Sequence, residues 1–223
     1  MSPPVNKNNF TYLLVALLVL LSGIPLAHDL AVASAPLIRS LVFSLLLIIG
    51  VWSLRDGGRY FTVGMTFVVA GVLLNVLAVN IDSRILFYSS FAVLFGFLLI
   101  AIVFTLKQVA FGTEITLNRL VGAVCVYLLL GTIWAVAYSL VDVVSPGSFT
   151  GFSPHDGRGW DSEWLYFSFV TMTTLGYGDI SPVSATARAL AYMQAVFGQF
   201  YLAILVAGLV SAYISKRKHE TDD

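Results

Sequence analysis

The chain has 223 residues, of which 58% are apolar and 11% charged, with twelve basic and twelve acidic residues that cancel. That composition, with a mean hydropathy of +0.90, excludes a soluble domain and places most of the chain in a lipid bilayer. Zero net charge gives no footing for nucleic acid, and the lone Cys125, inside an apolar run, leaves no disulfide within the chain and predicts a buried thiol.

Met1 to Asn9 is polar. The first apolar run, 10–27, carries Pro25 near its end. Lys7 before it and Ala31, Ala33 and Ala35 after it are also the marks of a signal peptide, but the run is long for a signal core and is assigned as a span. His28 and Asp29 fall in the first external turn, with no further metal ligand close in sequence. The second run is 36–54, with Arg39 near its outer end, where its head can reach the headgroups. Arg55-Asp56-Gly57-Gly58-Arg59 is a tight basic turn. The third run, 60–79, has Asn75 and Asn80 in its outer half, placed to hydrogen-bond a neighbouring helix. Asp82 and Ser83 turn the chain into the fourth run, 85–106, and a polar linker over 107–117 follows.

The fifth run is 119–141. Residues 143–159 are rich in Pro, Gly and Ser and are assigned as a loop. Asp161 and Ser162 can cap a helix over 162–173, with Glu163 in its first turn. That helix falls short of the ~20 residues a bilayer requires, so it must dip in and return, which backbone does only where protein or water surrounds it. The sixth run, 186–214, ends at Lys216-Arg217-Lys218.

Between the short helix and the sixth run stands Thr171-Met172-Thr173-Thr174-Leu175-Gly176-Tyr177-Gly178-Asp179. A potassium ion entering a membrane must exchange its water shell for equally good oxygens, and a ring of backbone carbonyls can supply them. Gly176 and Gly178 permit the alternating left- and right-handed angles this needs. The stretch, with Trp164 to Val170 before it and Pro182 after it, resembles the potassium-channel pore family over roughly residues 118–215, most closely the small bacterial members with one pore loop. The carbonyl-lined loop of such channels reads Thr-Val-Gly-Tyr-Gly; Leu175 replaces the valine here.

The resemblance implies an all-α membrane protein of six transmembrane helices, with a re-entrant pore helix and a selectivity-filter loop between helices five and six. It divides the chain into a four-helix domain (1–117), a pore domain (118–215) and a short cytoplasmic tail (216–223). K+ would bind at oxygens of Thr174, Leu175, Gly176 and Tyr177, with Gly178 completing the filter and Asp179 at its mouth, while Leu175 and Tyr177 wedge their side chains into surrounding protein. One loop gives a quarter of a filter, so a homotetramer in the bilayer is expected. Gly198 and Gly208 are the hinge or packing glycines of the sixth helix. Leu202, Val206 and Val210 share a stripe that could constrict the inner mouth, and Gln199 faces the cavity or braces the pore helix. In relatives a carboxyl or indole on the pore helix holds the filter aspartate. The corresponding places here, taken as Val170 and Phe167, cannot, which leaves Tyr166 and Trp164 as donors and suggests a filter less firmly latched.

Positive charge puts both termini in the cytoplasm. On that orientation Lys7, Arg55, Arg59, Lys107, Arg119, Lys216, Arg217 and Lys218 are inside, and Arg39, Arg84, Arg158 and Arg188 outside. Asp142, Asp156, Asp161, Glu163 and Asp179, set against Arg158 and Arg188, would raise the cation concentration around a fourfold mouth; the alternative is a solvated loop, and the functional reading is taken for Asp179 alone. One charge crossing 100 mV gains only about 2.3 kcal/mol, and 85–106 contains no basic residue, so no conventional voltage sensor is expected. The expected function is passive, K+-selective conduction. The alternatives are a weakly selective cation channel, a subunit of a potassium uptake system and a non-conducting scaffold. No nucleophile, phosphate loop or metal spacing supports an enzyme.

Overall fold

The structure, a computed structural model, describes residues 9–29, 58–81, 84–111, 117–152, 162–208, 210–211 and 214. The second apolar run with Arg39, and Asp156, Arg158 and Asp161, lie outside these. The described residues are mostly helical: α1 (Asn9–Asp29), α2 (Arg59–Asn80), α3 (Arg84–Phe111), α4 (Leu117–Val144), α5 (Ser162–Met172) and α6 (Ala185–Phe200), consistent with an all-α membrane protein. Among the described residues, two stretches, Ala92–Ala110 and Leu117–Val144, are long and apolar enough to cross a membrane. At about 1.5 Å per residue, the 28 residues of α4 reach about 42 Å, beyond the ~30 Å hydrocarbon core. The 11 residues of α5 reach only about 16 Å.

Several boundaries differ from expectation. His28 and Asp29 belong to α1 rather than to a turn, with side chains outside the described set; those of Asn75 and Asn80 in α2 are likewise not described. The expected linker begins late, because α3 continues to Phe111 through Lys107. Arg119 donates through Nε (3.0 Å) and Nη2 to the carbonyl of Val109. A basic side chain thus satisfies one of the last carbonyls of α3, as helix C-termini require.

The core is a seam of apolar faces. Phe10, Leu13 and Leu17 of α1, Leu94, Phe97 and Leu98 of α3, and Val126, Leu129 and Val136 of α4 are buried together. Cys125 is buried there and its Sγ meets the carbonyl of Phe10 at 3.4 Å. The described part of the expected loop holds regular structure: Val143 and Val144 still belong to α4. Phe149–Thr150 forms a strand, β1, antiparallel to β2 (Ser181–Pro182), in register Phe149↔Pro182 and Thr150↔Ser181. Ser184 caps α6, its side chain accepting from the N–H of Ala187 at 3.2 Å.

Candidate functional site

Helix α5 lies in the angle between α4 and α6. Its approach to α4 is close because Gly131 has no side chain: a Cβ there would stand 2.4 Å from the ring of Phe169. Ser168 Oγ donates to the carbonyl of Gly131 at 2.6 Å. Gln194 of α6, fully buried, donates to Ser168 Oγ (2.7 Å) and to the Ser168 carbonyl (3.1 Å). Its own Oε1 accepts from Tyr138 of α4. One amide therefore ties three helices together. Of the two places expected for Gln199, facing the cavity or bracing the pore helix, its exposure agrees with the first; the bracing residue is Gln194, on the preceding stretch of the same helix. The polarity of a Gln in an apolar run is the available signal, but the run holds both Gln194 and Gln199, and which of them meets α5 depends on where α5 packs.

After α5 the chain folds back under the helix end. The carbonyl of Val170 accepts from the N–H of both Leu175 (3.0 Å) and Gly176 (3.2 Å). In a trans peptide N–H and C=O point in opposite directions. The carbonyls of Thr174 and Leu175, partners of those two N–H groups, are therefore turned away from α5. Gly176 and Gly178 have φ of 55° and 81°, and Thr174 has φ 61°. Leu175 and Tyr177, between them, are not left-handed. Alternation of hand is the backbone condition for successive carbonyls to face one side. Left-handed geometry at a β-branched threonine is uncommon and costs about 1–3 kcal/mol; the sequence pattern suggests it only for the glycines.

Leu175 and Tyr177 do not wedge into their own chain: they are 55% and 67% exposed. Among the described residues, none walls off these side chains. Asp179 is held by one of the two donors that the sequence leaves open. Tyr166 Oη donates to Asp179 Oδ2 at 2.5 Å, while Trp164 is buried against Phe149 and Phe152. The bond from Tyr166 is the largest cause lowering the Asp179 carboxyl below its ordinary value, with desolvation opposing it. The bond is thus complete above the ordinary carboxylate range and is lost as pH falls through the depressed value. In Tyr166→Phe the acid-sensitive step of any flux through this site should move to higher pH, measured by flux at stepped outer pH. An unshifted acid limb would show that the bond does not hold the mouth.

Gly198 lies against the end of α5: a Cβ there would come within 2.8 Å of the Met172 carbonyl oxygen and 2.9 Å of Met172 Cγ. A Cβ at Gly208 would meet no atom within 4 Å among the described residues. Beyond Phe200 the helix widens to a π turn, Tyr201–Val206, which no sequence signal announces. Tyr201 Oη donates to the carbonyl of Ala123 at 2.6 Å. Leu202 and Val210 are 42% and 41% exposed; the side chain of Val206 is outside the described set.

Residues 122–215 match the family model described as an ion channel. Two pore potassium channel a of Oryza sativa subsp. japonica is 33% identical over 101 residues, covering 45% of this chain and 26% of that protein. Two pore potassium channel b of the same plant is 47% identical over 74 residues, covering 33% and 18%. The inward rectifier potassium channel Kirbac3.1 of Paramagnetospirillum magnetotacticum is 30% identical over 94 residues, covering 40% and 28%. The chain spans less than a third of the length of these relatives. No solved structure matches it. These relatives are channels, not enzymes.

Proposed function

We propose, from the match of residues 122–215 to the ion channel family model and their likeness to potassium channels, that this chain is one subunit of a membrane channel that conducts K+ passively and selectively. The reading rests above all on the paired acceptance by the Val170 carbonyl, which leaves the Thr174 and Leu175 carbonyls facing away from α5. With Gly176 and Tyr177 they would form successive K+ sites, replacing water oxygens ring by ring. Gly178 and Asp179 would form the outer end. Helix α5 would be the re-entrant pore helix among six spans, its carboxyl end lending partial negative charge to a cation.

The exposed Leu175 and Tyr177 favour a closed ring of four copies, in which a neighbour supplies the missing wall. Both termini would be cytoplasmic, which puts Asp179 on the outer face. With no basic residue in 85–106, opening would not follow a conventional voltage sensor.

The test is K+ against Na+ flux in liposomes containing the purified protein, with Gly178→Asp beside it. A carboxylate and a Cβ at φ 81° would disrupt the filter, so a K+-selective flux abolished in the variant is expected. Equal K+ and Na+ flux in the wild type would replace this reading with a weakly selective cation channel.

A further inference from the structure

Resting on the reading of 174–179 as an ion pathway, we infer that the segment Ser148–Gly151 is an outer brace setting the position of the filter mouth, and that Gly151 is a positioning residue for ion selectivity. The segment follows α4 and lies far in sequence from the filter, yet it touches the filter's exit at each step. The Ser148 carbonyl accepts from the N–H of Val183 (2.8 Å) and Ser184 (3.2 Å). Phe149 and Thr150 pair with Pro182 and Ser181. Gly151 then lies directly on Asp179: a Cβ would fall 1.8 Å from the Asp179 carbonyl oxygen and 2.8 Å from its carbon.

The brace is anchored. Phe149, 7% exposed, sits edge-on to Tyr138 (5.6 Å between ring centroids), Trp164 (5.1 Å) and Phe167 (5.5 Å). These rings belong to α4 and α5, so the brace moves only with the helices that carry the filter. Edge-to-face pairs add to the burial of such rings. Any bulk at position 151 must therefore be absorbed by Asp179, whose peptide follows Gly178. A filter discriminates by the number and placement of its oxygens, so a displaced mouth loses preference before it loses fold.

The test compares wild type, Gly151→Ala and Gly147→Ala in planar bilayers, reading K+ over Na+ preference from bi-ionic reversal potentials, with heat stability of the assembly followed in parallel. Gly147 is the matched control: its φ is 82°, close to the 94° of Gly151, but a Cβ there would meet no atom within 4 Å among the described residues. Both variants place a side chain at a similar left-handed φ and only one adds the collision. Gly151→Ala should lose K+ preference while Gly147→Ala keeps it. Wild-type preference in an assembled Gly151→Ala would overturn the inference, as would equal loss in both variants. Should Gly151→Ala fail to assemble, Phe149→Leu is read instead: it keeps an apolar side chain but removes the ring anchor, and retained wild-type preference there overturns the inference. A wild type without K+ preference removes the premise, and the inference with it.

Discussion

Gln194→Leu should destabilise the packing of α4, α5 and α6 by about 1–3 kcal/mol, the cost of a buried polar group left without its partner. Leu keeps the volume approximately but leaves the Tyr138 hydroxyl, on a side chain that is 0% exposed, with no acceptor. It also removes both bonds to Ser168. Hydrogen bonds between membrane helices average nearer ~0.6 kcal/mol because the unfolded chain finds other partners, so a loss at the upper end would mean that no alternative acceptor is in reach. The double variant Tyr138→Phe, Gln194→Leu removes both ends of one bond and should cost less than the sum of the single changes. Thermal unfolding in detergent measures all three. Strict additivity would show that the two side chains do not act as a unit.

Gly198→Ala should lower the heat stability of the protein and reduce K+ flux, whereas Gly208→Ala should do neither. Two effects compete at Gly198. Alanine favours a helix over glycine by about 1 kcal/mol, so a residue serving only as a hinge would gain stability and lose only opening. Against this, the added Cβ would lie 2.8 Å from a backbone oxygen at the end of α5, and overpacking of this kind costs about 1–3 kcal/mol. Met172 precedes Thr173 and Thr174 directly, so any shift of its carbonyl is passed into the proposed filter. The sign of the change in melting temperature separates the alternatives: a fall supports packing, and a rise with altered opening supports a hinge.

The sequence by itself pointed to a helical membrane protein, to apolar or short helical runs near α1 to α6, and to the stretch at 174–179 as the one to examine. Those features are local. Apolar run length is set by bilayer thickness, the short helix by its deficit against that length, and the need for glycine by the sterics of left-handed backbone. It also located Tyr166 as a donor available to Asp179, without being able to prefer it to Trp164, because that choice depends on which face of α5 meets the aromatic cluster around Phe149.

Only the tertiary structure decided the rest. Gln194 rather than Gln199 braces α5, since little more than a turn of α6 separates a buried position from an exposed one and the sequence period does not say which face meets Ser168. The strand within a Pro-, Gly- and Ser-rich loop arises from pairing with Ser181 and Pro182, about thirty residues along the chain. The left-handed Thr174 follows from the Val170 carbonyl drawing two N–H groups to itself against the threonine's own preference. Gly151 carried no sequence signal beyond being a glycine in a loop, because its role lies in the space occupied by Asp179. Contacts distant in sequence determine these features, and such contacts exist only once the helices have packed.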